Sequence, residues 1–351
     1  MALQGFAWGI TVMIALFFKG GDSQHACARP PNNSSIIGGQ SASAGRWPWH
    51  VTFTLNGNVQ WQGSLITDEW VLTTAQYSVY YYNYEGQNNS GSYYNNDVVM
   101  YFGAINQSGF GEVTRRIANF TCNQDYAYYG GNDICLVKLS APVNFTDYIR
   151  PVCLAAENST FHNGTSSWVT GFSGTLGSIK EIDVSVIGIR KCNCSYNNNY
   201  YFYYHYFYRI TETVMCAGNE DVSKRTSYRD EGAALVTKKD SIWVQSGILS
   251  KAWLSEIGVY TRVSLYQKWI TDRVTGMKPG FVTYTSRGID SDLTYTCPSP
   301  ATTTVYPYYT RAPTTDDSIF ASGESLIAFA RVFPLSALVL FLHLFVGGAG
   351  N

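Results

Sequence analysis

The chain predicts an all-β domain, and three features carry that prediction. Runs of alternating character recur, as in Trp49-His50-Val51-Thr52-Phe53-Thr54-Leu55 and Val184-Ser185-Val186-Ile187-Gly188-Ile189. A two-residue period marks a strand with one buried face. Turn-rich segments separate such runs from about Ile36 to Gly276, as in a barrel or a sandwich. One stretch near the end of this region, Leu265 to Val274, reads instead as an amphipathic helix.

Composition narrows what such a chain does. Lys and Arg number 24 against 25 Asp and Glu, a formal charge of −1, so there is no electrostatic footprint for nucleic acid. Charged residues are 14% of the chain, well under the roughly 25% of an average soluble domain, while 45% are apolar. A chain this apolar is not disordered throughout, and 351 residues can bury a substantial core. Tyrosine is in excess, at 27 residues.

The two ends read as addresses. Over 1–23 an apolar run from Phe6 to Phe18 precedes small residues, Gly21 and Ser23, at the −3 and −1 positions of a signal-peptide cleavage site. The competing reading is a buried N-terminal helix. At the far end Val332 to Val346 is apolar, but it is fifteen residues long and broken by Pro334, short of the roughly 20 that span a bilayer. Upstream stand Ala321-Ser322-Gly323 and a spacer to Arg331. Small triplet, spacer and apolar tail over 322–351 form the pattern of a GPI-attachment signal, with Ser322 as the anchored residue. A short transmembrane helix is the alternative. Before it, 277–321 is rich in Thr, Ser, Pro and Tyr, as in Ala312-Pro313-Thr314-Thr315, and reads as a disordered stalk.

Both ends place the mature chain at the cell surface, or secreted if the anchor is lacking. Eight cysteines, an even number, suit an oxidising compartment. Sequons at Asn32, Asn33, Asn88, Asn106, Asn119, Asn144, Asn158, Asn163 and Asn193 predict a heavily glycosylated surface. No His, Cys and Asp cluster has metal-ligand spacing, so neither metal nor cofactor is expected.

An ordered series of landmarks runs through 36–276. It begins with Ile36-Ile37-Gly38-Gly39 and Trp47-Pro48-Trp49, then Gly63-Ser64-Leu65-Ile66 and Trp70-Val71-Leu72-Thr73-Thr74-Ala75. Asn132-Asp133-Ile134-Cys135-Leu136-Val137-Lys138-Leu139 and Trp168-Val169-Thr170-Gly171-Phe172 follow. Met215-Cys216-Ala217-Gly218 and Gly258-Val259-Tyr260-Thr261-Arg262-Val263 complete the set. In this order they resemble a trypsin-like serine protease of the chymotrypsin fold, peptidase family S1, and in overall form its membrane-anchored prostasin and testisin type. The resemblance implies two six-stranded antiparallel β-barrels with a C-terminal helix. It makes 24–35 a pro-segment remnant and 36–276 the protease-like domain.

The resemblance also shows where the chemistry departs. Acyl transfer by serine needs a hydroxyl nucleophile, an imidazole base and a carboxylate to orient it. At those positions this chain has Glu231, Gln76 and Asp133. A carboxamide has no pKa near 7 and cannot act as general base. A carboxylate at 231 is a poor nucleophile toward an amide and opposes an oxyanion beside it. Arg229 replaces a glycine whose N–H helps form the oxyanion hole. Arg225 stands where a trypsin specificity pocket has an acid, and Ser250-Lys251-Ala252 replaces Ser-Trp-Gly on the substrate-pairing strand. Ser35 precedes Ile36 where an activator would require Arg or Lys; Asp230 matches the partner of the amine that cleavage would free. His25, His50, His162 and His205 lack the context of a catalytic base.

Cysteines are missing in pairs by the same comparison. One family bridge falls at Trp61 and Tyr77, another at Ser167 and Thr237, and a third at Ser227 and a shortened segment before Gly258. The eight that remain are paired by resemblance as Cys27–Cys153, Cys122–Cys135, Cys194–Cys216 and, as the remainder, Cys192–Cys297. Such tidy pairing favours a maintained fold over a decayed one.

Half of the tyrosines fall in two segments that the resemblance places as loops bordering the substrate cleft. Seven lie between Tyr77 and Tyr94 and seven between Tyr196 and Tyr208, among Asn, Ser, Gly and Phe. This is the composition of antibody paratopes, and it predicts a protein partner (a protease, an inhibitor or a surface protein) on 77–94 and 196–208. Expansion of the loops without a partner is the plainer reading. The function expected is that of an inactive, binding protease homologue. An endopeptidase with unrecognised machinery and a degenerate copy without a role are the alternatives.

Overall fold

A computed structural model describes residues 27, 45–77, 98–103, 113–128, 131–172, 179–197, 210–221, 224–226, 228–251 and 257–298. The signal peptide, Ile36, most of both tyrosine-rich segments, the stalk beyond 298 and Ser322 lie outside them.

Six strands close the first barrel: β1 (His50–Leu55), β2 (Asn58–Leu65), β3 (Trp70–Thr73), β4 (Val98–Phe102), β5 (Val113–Cys122) and β6 (Cys135–Leu139). Their order around the barrel is β1-β2-β3-β6-β5-β4. Asn56 and Gly57, at φ 51° and 78°, form the two-residue β1–β2 turn. Two left-handed residues match the twist of the flanking strands, and Asn and Gly adopt that conformation most readily.

The second barrel is closed by β8 (Ser166–Phe172), β9 (Ile179–Ile187), β10 (Val214–Gly218), β11 (Ala234–Lys239), β12 (Ile242–Lys251) and β13 (Ile257–Arg262). They run β11-β8-β9-β10-β13-β12, and β11 pairs back to β12. The architecture is thus the predicted pair of six-stranded antiparallel barrels. Helix α1 (Ile189–Asn197) follows β9. The predicted terminal helix is a 3-10 turn, Val263–Tyr266, running into α2 (Gln267–Arg273).

The alternation in β1 has a different cause from a solvated face. Val51 and Phe53 are buried, but so are His50, Thr52 and Thr54. Its polar residues are buried for separate reasons: His50 Nδ1 lies 3.0 Å from Thr170 Oγ1 on β8, and Thr54 Oγ1 donates to Val99 O on β4 at 3.2 Å. Burial pushes the His50 imidazole down to about 4, so it stays neutral.

The chain from 277 to 297 does not form a stalk. β14 (Phe281–Val282) adds in parallel to β7 (Cys153–Ala155), which itself joins β12. Asp292 then accepts hydrogen bonds from Arg190 N at 2.8 Å and Lys191 N at 3.0 Å, capping the first turn of α1. The described chain stays bonded to the domain well past 276, through Asp292 and Cys297. A polar segment without periodicity reads as disorder, but its backbone is paired here with specific groups of the domain.

That docking also corrects two disulfides. Cys27 bonds Cys153, and Cys122 bonds Cys135 across the β5–β6 ladder. Cys192 bonds Cys216, and Cys194 bonds Cys297, the reverse of the pairing implied by resemblance. Cys192 and Cys194 are two residues apart on α1, so they point to opposite sides. Cys192 faces the cluster of Val214, Cys216 and Val259, leaving Cys194 for the docked segment.

Candidate active site

Asp133 is the hub of the first half of the site. It follows Asn132, whose left-handed φ of 56° turns the chain into β6. The carboxylate is buried, and Oδ1 accepts from Thr74 Oγ1 (2.7 Å), Ala75 N (2.6 Å) and Gln76 N (2.9 Å). Oδ2 accepts from Ser250 Oγ at 2.5 Å, tying the two barrels together. A buried carboxylate is tolerable when its lone pairs are taken up in this way. Asp133 therefore holds the Gln76 backbone, not its carboxamide.

The Gln76 carboxamide is held by Lys251. Lys251 Nζ donates to Gln76 Oε1 and sits 3.6 Å from the centroid of the Tyr128 ring. Burial pushes this lysine down to about 8, against the opposing pull of the Asp133 and Glu231 charges. In the sequence Lys251 is only a departure from the family's Ser-Trp-Gly; its role comes from its place at the buried end of β12, beside Gln76.

Glu231 is fully buried. Its Oε2 accepts from Arg229 N at 2.8 Å and from the Tyr77 hydroxyl at 3.2 Å. Oε1 is buried without a hydrogen-bond partner among the described residues. Burial pushes the carboxyl pKa up, and the backbone N–H groups of Glu231 and Arg229, the Tyr77 hydroxyl and the Lys251 charge offset part of that. Arg229 adopts φ 81°, which is costly for a residue with a Cβ. Its N–H to Glu231 and its carbonyl, which accepts from Gln62 Nε2 at 3.2 Å, hold it there. Gly232, at φ 88°, admits no larger residue, because a Cβ would lie 1.9 Å from Gln62 O.

Gln76, Asp133 and Glu231 are thus gathered into one buried network through Lys251 and Tyr77. It holds a carboxylate in donor groups, and no imidazole of the described residues is bonded into it. Residues 36–270 match the family model described as Trypsin.

The chain belongs to the trypsin family.

Two curated relatives agree. "Serine protease 41" of Homo sapiens is 29% identical over 267 residues, covering 72% of this chain and 80% of the relative. "Tryptase" of Mus musculus is 31% identical over 267 residues, covering 70% of this chain and 91% of the relative. Four disulfides in a trypsin-family domain point to an extracellular or secreted protein. No helix among the described residues is long and apolar enough to cross a membrane.

Other trypsin-family positions fall as follows. Asp230 is buried with its carboxylate against Gly171, where a Cβ would lie 2.2 Å from Oδ1. Arg225 is exposed; burying an unpaired guanidinium is expensive, and solvent is its cheaper surrounding. Trp61 and Tyr77 are stacked in contact, and Ser167 Oγ lies 2.8 Å from Thr237 Oγ1. His162 is far along the chain on a separate cleft, and His25 and His205 lie outside the described residues. No group of three or more His, Cys, Asp or Glu able to hold a metal occurs among the described residues.

Asn119, Asn144 and Asn158 are exposed, whereas Asn163 and Asn193 are half-buried; Asn33, Asn88 and Asn106 lie outside the described residues. Asn163 is already engaged, donating from Nδ2 to Ser291 Oγ (3.0 Å) and accepting from Gly188 N (3.1 Å). Of the tyrosine-rich segments, Tyr77 is buried and Tyr196 half-buried, its hydroxyl donating to Ile257 O at 3.2 Å. Tyr77 packs into the core beside Trp61, and Tyr196 packs on the Cys192 cluster while staying half-exposed.

Proposed function

We propose that this trypsin-family protein is non-proteolytic and works by binding. One observation carries the reading: at the position that the family gives its nucleophile, Glu231 Oε2 takes the Arg229 N–H at 2.8 Å. The donor that would stabilise an oxyanion is thereby already bonded to a side-chain carboxyl oxygen. Gln76, at the base position, has its carboxamide oxygen bonded to Lys251. The protein is of the membrane-anchored prostasin and testisin type, glycosylated, and held at the surface by a GPI anchor at Ser322. A protein partner docks on the tyrosine-rich segments 77–94 and 196–208.

The test is assay of the purified protein on Arg/Lys and mixed peptide libraries, with a fluorophosphonate probe. Neither turnover nor labelling is expected. Turnover that survives Glu231→Ala and Gln76→Ala would overturn the reading. Affinity capture with Tyr80–Tyr84 or Tyr200–Tyr208 replaced by Ser tests the partner surface; a partner retained equally by all forms sinks it. Release from cells by a phosphatidylinositol-specific phospholipase tests the anchor.

A second reading, an endopeptidase with unusual machinery, has Lys251 in its favour, since a lysine near 8 is partly neutral at physiological pH. Against it, Lys251 Nζ is bonded to a carboxamide, and Ser250 Oγ beside it is bonded to Asp133.

A further inference from the structure

A cleft of about 530 Å³ opens between the β11–β12 hairpin, the 162–165 loop and the docked segment 284–287. None of the residues around Glu231 lines it. Its size is that of a small-molecule site. Lys238 and Lys239 enter from the hairpin and Arg287 from the docked segment, while Asp240 is the one acid among the lining residues. Three cations from two separate parts of the chain repel one another, and one carboxylate offsets only part of that.

The walls are tied in place. Lys239 Nζ donates to Thr283 O at 2.9 Å, joining the hairpin to the docked segment. Lys238 Nζ lies 5.9 Å from the Trp243 ring centroid. Ser286 Oγ accepts from His162 N at 3.0 Å, and Tyr284 stacks on Phe161 with planes 1° apart. His162 Nδ1 is buried and has no hydrogen-bond partner among the described residues. An unpartnered buried polar atom has lost its bonds to water, and a ligand hydroxyl bonded to it would restore one.

We propose that this cleft binds a saccharide carrying a sulfate or phosphate group. Arg287 and Lys238 engage the oxyanion, since guanidinium and ammonium groups form their strongest hydrogen bonds with such oxygens. His162 and the Ser286 and Thr285 hydroxyls meet the sugar hydroxyls, and Tyr284 offers a ring for its apolar face. The site exists only because residues 284–287 are docked on the domain, so it is independent of the old protease cleft.

The experiment is calorimetric titration of the mature protein with its N-glycans trimmed, so that no branch at Asn163 covers the cleft. Four probes are compared at low and at physiological salt: a sulfated disaccharide, its phosphorylated counterpart, the unsubstituted disaccharide and inorganic sulfate. At least one charged sugar is expected to bind about tenfold or more tighter than the unsubstituted one, and salt should weaken it. The tighter of the two names the source of the oxyanion. The exposed pair Lys238→Ala/Arg287→Ala should lose about tenfold or more, while Lys268→Ala on α2 binds as before. Equal affinity for charged and uncharged sugars, binding of inorganic sulfate alone, or full affinity in the double variant would overturn the proposal. A check of each variant's thermal midpoint separates lost binding from lost folding.

Discussion

The rings of Trp61 and Tyr77 lie parallel, with centroids 5.6 Å apart and planes 4° off. Phe53 extends the stack, 4.7 Å from Trp61. The resemblance places a disulfide at 61 and 77, so buried aromatic surface takes the place of a covalent bridge. A native bridge contributes about 2–5 kcal/mol, and burying large rings supplies a comparable amount. Trp61→Ala is expected to cost about 3–5 kcal/mol in denaturant unfolding. A loss below about 1 kcal/mol would show that the stack does not replace the bridge.

Ser167 and Thr237 face each other on β8 and β11, their hydroxyls 2.8 Å apart and buried. Side chains that close across neighbouring strands have the separation a disulfide needs. Ser167→Cys with Thr237→Cys should form a bridge in an oxidising host and add about 2–4 kcal/mol. Mass analysis without reductant and the unfolding midpoint check it; two free thiols in the folded protein would contradict the assigned register.

Glu231 and Lys251 make opposite contributions to stability as pH changes. The raised folded pKa of Glu231 means that its favourable contribution is complete below about 4.5 and is lost as pH rises through that raised value. Above the ordinary carboxyl range burying this group costs stability, so Glu231→Gln is expected to raise the thermal midpoint by a few degrees at pH 7 and to leave it nearly unchanged near pH 4. The folded pKa of Lys251 is lowered from 10.5 to about 8, so its contribution is complete above 10.5 and is lost as pH falls through about 8. Because the Glu231 charge holds Lys251 up, Glu231→Gln should push the lysine further down. An NMR titration of the lysine side chains reads this directly; a Lys251 that titrates near 10.5 would refute its burial.

Asp292 and Cys297 fasten the docked C-terminal segment to α1. Asp292→Ala removes the acceptor for two backbone N–H groups and should cost about 0.5–2 kcal/mol. Cys297→Ser should leave Cys194 as the free thiol and keep Cys192–Cys216 intact. Peptide mapping under non-reducing conditions decides this, and a free Cys192 would restore the pairing implied by resemblance.

Much of the fold was legible in the residues. The alternating runs gave β1 and β9, and the 3.6-residue period gave α2. The pattern at 277–297 misled, because Thr, Ser and Tyr lack the periodicity that marks an element. Phe281 and Val282 are too short a run to announce β14. The Cys192 and Cys194 pairing was out of reach for the same reason: sequence spacing carries no sidedness until α1 is known to be a helix. Lys251 looked like a lost tryptophan, and only its reach to Gln76 across the interface gives it a role.

By itself the sequence determined the class of the domain, the trypsin-family order of its segments and the residue types at the old catalytic positions. These depend on local periodicity and on identity at aligned positions, which a linear string contains. Only the tertiary structure decided what the substituted residues do. Glu231 meets the Arg229 N–H, Lys251 meets Gln76, and the segment after 277 closes a cationic cleft over Lys238 and Lys239. Except for the short turn that joins Arg229 to Glu231, these are contacts between residues distant in sequence. Burial sets their strength, because a charge removed from water interacts with whichever partner the fold brings close.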